Sequence, residues 1–234
     1  MPMKQVAVFG AGGGIGAALV SALAARDDVE RVFAVSRQAL AGGSKVVAIA
    51  CDPGAPAALV QAAAQIGTPD CVLVATGALV LPNGAGPEKS LRAVSAEALL
   101  ESYRVNAVLP ALIAQAMLPR MPRDRRAVLA VLSARVGSIG DNRLGGWHAY
   151  RASKAALNQL VRTIAVEVRR THSQAVIAAL HPGTVATGLT APFVGDREVM
   201  TPAASAAHLL AVIEELEPAD SGGFFAWDGS AIAW

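Results

Sequence analysis

Seven short apolar runs alternate with longer stretches of helical periodicity, and this alternation leaves the chain few architectures to choose from. The runs are 5–9 (QVAVF), 31–36 (RVFAVS), 46–51 (VVAIAC), 71–75 (CVLVA), 127–133 (AVLAVLS), 175–181 (AVIAALH) and 224–227 (FFAW). Between them, helices are predicted near 14–25, 55–66, 95–121, 149–171 and 203–216. Strand and helix in alternation build a doubly wound α/β fold, here a seven-stranded parallel sheet with helices on both faces. The composition agrees. Hydrophobic residues make up 53% of the chain and aromatics only 4%, so the core is made of Ala, Val, Leu and Ile, as a parallel sheet covered by helices requires.

At 234 residues, with no linker dividing it, the chain is expected to form one domain over 1–234. Pro182, Gly183, Gly188 and Pro192 interrupt the pattern after the sixth run, and 184–202 has no strong period, which suggests a lid over a site. Its apolar residues Phe193, Val194 and Met200 hint at a hydrophobic ligand. The formal net charge is +2, and the densest basic group, Arg120, Arg123, Arg125 and Arg126, falls in a predicted loop. No basic stripe with interleaved aromatics exists, which argues against a nucleic-acid partner. Cys51 and Cys71 form no Cys-x-x-Cys and suit buried thiols in a reducing compartment. The four histidines lack metal-ligand spacing, so no metal is expected. There is no apolar run of about 18 residues and no signal-peptide pattern, which points to a soluble, cytoplasmic protein without a membrane partner.

The chemistry is concentrated in a few segments. Gly10, Gly12, Gly13, Gly14, Ile15 and Gly16 follow the first run and open the first helix. Glycines there permit a sharp turn and close approach to a pyrophosphate, and the helix N-terminus offers unpaired N–H groups to the anion. At the end of the second run, where an acid would hold the ribose hydroxyl of NAD, the chain reads Ser36-Arg37. Arg37 suits a 2′-phosphate, and Ser36 adds a donor, which points to NADP. Asp52 is placed either to reach the adenine or simply to start a turn before Pro53. Tyr150 and Lys154 lie four residues apart, on one helix face, so the ammonium is expected to lower the pKa of the phenol.

The glycine segment, Ser36-Arg37, Asn106, Ser133 and the Tyr150/Lys154 pair, taken in order, resemble the short-chain dehydrogenase/reductase family across nearly the full chain. Segments SARVGSIGDNRLGGWHAYRASKAALN, HPGTVATGL and GGFFAWDGSAIAW are most similar to the branch holding C-factor-type proteins and sniffer-type carbonyl reductases. The resemblance implies a Rossmann fold and NADPH-linked reduction of a carbonyl substrate, or oxidation of the alcohol, with a signalling role of little turnover as the alternative. It implies Tyr150 as general acid, Lys154 as its partner and a holder of the nicotinamide ribose, and Asn106 as a helix-disturbing residue that anchors a relay water. Ala75, Thr76 and Gly77 after the fourth run, and Pro182, Gly183, Val185 and Thr187 after the sixth, correspond to segments that line the cofactor. A dimer or tetramer is implied, with Ile232-Ala233-Trp234 either at an interface or folded back on the core.

Three departures stand out. Phe9 replaces the usual threonine and needs an apolar pocket. Val74-Ala75-Thr76-Gly77 replaces the family's Asn-Asn-Ala-Gly. Ala134 occupies the register of the substrate-orienting serine, leaving Ser133, which the sequence favours, or Ser138 to take that role. Trp147 borders either the substrate or the core, and His148 is given no catalytic role.

Overall fold

The computed structural model describes residues 3–81, 84, 86–195 and 198–234, and all seven strands form within a residue of their expected ends. They are β1 (Gln5–Phe9), β2 (Arg31–Ser36), β3 (Val46–Ala50), β4 (Cys71–Val74), β5 (Ala127–Leu132), β6 (Ala175–His181) and β7 (Phe224–Ala226). Every neighbouring pair is parallel, and the order across the sheet is β3-β2-β1-β4-β5-β6-β7. The chain builds outward from β1 to β3, then returns to the other side of β1 to lay down β4. Connections therefore diverge between β1 and β4, and a crevice opens beyond the carboxyl ends of the strands.

Each strand feeds two cores. From β1, Val6 and Val8 pack with α1 (Gly14–Ala24) and α7 (Pro202–Glu215), while Ala7 and Phe9 face α2 (Pro56–Ile66), α4 (Leu109–Met117) and α5 (His148–Val168). Phe9 is 1% exposed and lies in a cluster with Phe33, Val35 and Val74, which is the apolar pocket that replacing threonine demanded.

The single helix expected over 95–121 is broken. It consists of α3 (Ala96–Tyr103), a π-helical turn at Arg104–Val108, α4, and a 3-10 turn at Leu118–Arg120. Pro110 explains the break: it has no N–H to donate to the carbonyl of Asn106 four residues back, so the α-helical ladder cannot pass that point. The wider turn takes over, with the amide of Leu109 reaching the carbonyl of Arg104.

In the expected lid, Val185 and Met200 form a parallel bridge at the base, and α6 (Ala191–Val194) lies between them. Residues 196 and 197 and the side chain of Val194 lie outside the described residues. The C-terminal residues fold back: Ile232 is buried, its amide donates to the Phe224 carbonyl at 2.8 Å, and Trp234 stacks on Phe224 with ring centroids 5.6 Å apart.

Restoring the family's residue at the first strand should damage this chain. Phe9→Thr is expected to lower the unfolding free energy by about 3 kcal/mol, because a cavity and an unpaired hydroxyl replace a packed ring. Denaturant unfolding of the two proteins measures it, and equal midpoints would contradict the packing described.

Candidate functional site

A cavity of about 420 Å³ occupies the crevice at the carboxyl ends of the central strands. Gly12 to Gly16 form one wall. Gly10, with φ +85°, turns the chain out of β1, and a Cβ there would come within 2.8 Å of the Ala75 backbone. A Cβ on Gly16 would sit 2.1 Å from the Gly10 carbonyl oxygen, so the loop closes on its helix only with glycine at that position. Gly13 precedes α1 and no side chain caps it, which leaves the first N–H groups and the positive end of the helix facing the cavity.

Of the other residues marked for a cofactor, Ala75, Thr76, Gly77, Pro182, Gly183, Val185 and Thr187 border the cavity, as do Tyr150 and Lys154. The Thr76 hydroxyl oxygen is buried with no partner among the described residues, an orphan that a bound polar molecule would satisfy. Together with the uncapped helix, it makes the donor set fit a dinucleotide. Gly10, Ser36, Arg37 and Asp52 do not line the cavity itself. Ser36 flanks the loop, since a Cβ on Gly12 would lie 3.3 Å from its Oγ, and its hydroxyl bonds the Gln38 carbonyl at 2.7 Å. Arg37 is exposed, and none of the salt bridges among the described residues involves it. Asp52 is exposed and its Oδ1 accepts from the Gly54 amide at 2.9 Å, so its side chain makes the turn instead of pointing into the cavity.

The opposite wall comes from α5. Lys154 is 3% exposed, donates to the Leu132 carbonyl at the end of β5 at 2.9 Å, and holds its Nζ 6.0 Å from the Tyr150 ring centroid. Close packing of the turn after β5 sets this geometry: a Cβ on Gly137 would meet Lys154 Cβ at 2.8 Å. Asn106 is fully buried behind the wall, in the π-helical turn. Its amide embraces Ala78, accepting from the N–H and donating to the carbonyl, both at 2.9 Å, and reaches Ser102 Oγ and Ser153 Oγ at 3.2 Å. Ser153 Oγ in turn donates to the Tyr150 carbonyl at 2.8 Å, so the loop after β4, the π-helical turn and α5 are one hydrogen-bonded unit.

The pKa expectation for the pair is not met. Burial pushes the Tyr150 phenol up, while burial pushes the Lys154 ammonium down to about 8. Loss of water around the buried group is the cause in each case.

Neither Ser133 nor Ser138 presents a free hydroxyl proton to the cavity. Ser133 borders the cavity, but its hydroxyl gives its only hydrogen to Asn158 Oδ1, at 2.6 Å, one turn beyond Lys154 on α5. Ser138 is 1% exposed, accepts from the Asp141 amide at 3.1 Å and does not line the cavity. The position between β5 and the turn belongs to the Ala134 methyl. His181 also lines the cavity and was overlooked in the sequence, although it immediately precedes Pro182-Gly183 at the end of β6. Burial and Arg135 push its imidazole down to about 4, and its Nδ1 has no partner among the described residues.

Trp147, just before α5, sets its indole edge-on to Tyr150 at 6.2 Å and to Phe193 at 5.6 Å. Its φ of 51° is left-handed, a conformation that costs a non-glycine residue on the order of 1–2 kcal/mol.

This fold and site define the class. The family profile described as short chain dehydrogenase matches residues 4–198, and the chain belongs to that family of oxidoreductases. Among curated relatives, it is 35% identical over 130 residues to 1-hydroxy-2-glutathionyl-2-methyl-3-butene dehydrogenase of Rhodococcus sp. (strain AD45), a match covering 56% of each chain, little more than half. It is also 35% identical over 136 residues to C-signal of Myxococcus xanthus, covering 58% of this chain and 78% of that one. Among solved structures, it superposes on carbonyl reductase Sniffer of D. melanogaster with a TM-score of 0.86 at 24% identity, covering 99% and 100% of the two chains, a likeness of fold. The NADPH-bound carbonyl reductase from chicken fatty liver gives a TM-score of 0.85 at 26% identity, covering 100% of this chain and 95% of that one. Among the described residues, no helix is long and apolar enough to cross a membrane, and no three His, Cys, Asp or Glu side chains cluster as a metal site.

Lys154 is expected to titrate near pH 8 instead of the ordinary 10.5. Between those values the unfolded chain holds a proton that the folded chain has lost, so this group's contribution to stability rises with pH across that window. Lysine-selective NMR, assigned with Lys154→Arg, reads the value directly, and a titration near 10.5 would refute the burial argument.

Proposed function

We propose that the protein reduces an aldehyde or ketone to an alcohol with NADPH, Tyr150 serving as general acid. The observation that carries this reading is the presence of Tyr150 and the buried Lys154 on the wall facing the uncapped N-terminus of α1, across one cavity. The glycine loop and the α1 amides would hold the pyrophosphate, with Arg37 at the 2′-phosphate beside Ser36, whose hydroxyl would have to leave the Gln38 carbonyl to donate there, Thr76 as a polar contact, and Pro182 to Thr187 along the nicotinamide side. A bound nicotinamide supplies the hydride. Tyr150 gives its hydroxyl proton to the carbonyl oxygen, and burial keeps that proton in place at neutral pH. Lys154 favours the phenolate left behind, and Asn106 locks the loop after β4 to α5. The bridge-closed 184–202 segment acts as the lid, and Phe193 with Trp147 favours an apolar carbonyl. The buried unpaired thiols Cys51 and Cys71 support a cytoplasmic home, and exposed Leu100, Val108 and Val166 support a homo-oligomer.

One observation favours a second reading. Ala134 and the committed hydroxyl of Ser133 leave Tyr150 as the principal hydroxyl donor to a carbonyl oxygen, which suits a cofactor-binding regulatory protein with little turnover.

Binding of NADPH and NADH to the purified protein, followed by turnover on aromatic aldehydes and diketones, separates the two. NADPH preference with a loss of at least about 100-fold in kcat for Tyr150→Phe is expected. Tight NADPH binding without turnover supports the regulatory reading, and NADH preference removes the argument from Arg37. In the same assay, Ala134→Ser is expected to raise kcat by about tenfold, since a preorganised donor at the developing oxyanion is worth about 10²–10³-fold when fully aligned. An unchanged rate would mean that another group already holds the oxygen.

A further inference from the structure

Among the described residues, one carboxylate is buried. It is Glu88, 7% exposed, in the segment between β4 and α3 and far in sequence from α5. It grips the start of α5 at two points. Its Oε2 accepts from the Ala149 amide at 3.1 Å, and its main-chain carbonyl accepts from the Trp147 amide at 2.5 Å. Its Oε1 is buried with no partner among the described residues.

The start of α5 needs such a grip. A helix usually takes a short polar residue at its N-cap, whose oxygen accepts one of the first unpaired amides. Here the N-cap is Trp147, which offers no acceptor and makes no side-chain cap. Gly145, Gly146 and Trp147 approach the helix with φ of 63°, 65° and 51°, three successive left-handed residues, of which only the tryptophan is strained by it. Glu88 supplies from a distant segment the acceptor that Trp147 lacks, and its negative charge suits the positive end of the helix. The residue after Ala149 is Tyr150, and Trp147, whose backbone amide the Glu88 carbonyl accepts, sets its indole edge-on to the Tyr150 ring.

We propose that Glu88 is a positioning residue for proton delivery by Tyr150: by fixing the first turn of α5 and the left-handed Trp147, it sets where the phenol points. The proposal rests on the carbonyl-reductase reading. Glu88 does not border the cavity and acts only through the helix start. The cofactor loop is on the opposite wall, so the effect belongs to turnover and not to cofactor affinity.

The test compares the full chain with Glu88→Ala, Glu88→Asp and Glu88→Gln. It measures NADPH affinity by calorimetry, kcat and KM on the best carbonyl of the panel, and amide hydrogen exchange over 145–152 without substrate. Glu88→Ala is expected to lose about 10- to 100-fold in kcat, in line with a displaced reacting group, with the NADPH Kd within about twofold. Its Ala149 amide, which loses its side-chain acceptor, should exchange faster. Glu88→Gln keeps an acceptor of the same reach and should stay within about threefold of the parent, whereas Glu88→Asp keeps the charge but not the reach and should behave like alanine. If Glu88→Ala does not fold, the Asp and Gln pair carries the comparison. Parental kcat in Glu88→Asp or Glu88→Ala overturns the proposal, as does a loss of NADPH affinity in step with kcat. A parent that reduces no carbonyl refutes the reductase reading, and unchanged exchange in the variants then separately refutes the hold on the helix.

Discussion

Burying a parallel sheet on both faces is the constraint on which the rest of this structure depends. Parallel strands need crossovers, crossovers put helices on each face, and each strand must then be apolar on both sides. The Ala- and Val-rich strands meet that demand with small side chains, and the helices approach closely. The same topology gathers every strand's carboxyl end on one edge, so the chain's loops of unusual composition meet there. The glycine loop after β1, Thr76 after β4, Ala134 after β5 and His181 at the end of β6 share one cavity for that reason.

Burial sets the protonation of the two groups on the α5 wall. Lys154 and Tyr150 are shifted in opposite directions by the same loss of water, one towards neutrality and the other towards keeping its proton. This is the form of each group that burial alone prefers, and it leaves the phenol a donor. Behind them, Asn106, Ser102 and Ser153 satisfy one another in a buried network that joins the π-helical turn to α5. A network of this kind tolerates little rearrangement, because each partner removed leaves another unpaired.

Features carried by neighbouring residues were legible in the chain. The strands, the glycine turn and the α5 pair follow from local pattern, and the alanine at 134 stood out through the family resemblance. The interruption of the long helix was less so: the missing N–H of Pro110 is a local fact, but the pairing of Asn106 in the π-helical turn with Ala78 exists only in the folded chain. Ser133 illustrates the harder case. Its place at the end of β5 was correct, yet the direction of its hydroxyl was decided by Asn158, on another element. Asp52 similarly turned to its own loop, and Glu88 gave no signal at all, because its partners are amides of a helix that begins far along the chain.

The order of apolar runs, helix signals and glycines thus determined the sheet, its layers and the edge on which a dinucleotide-type site lies, because periodicity and backbone freedom are properties of a few consecutive residues. Only the tertiary structure decided which hydroxyls are free, which way the pKa values of Tyr150 and Lys154 move, and what holds the first turn of α5. Those depend on burial and on hydrogen-bond partners brought together from distant segments, and neither exists until the sheet has closed under its helices.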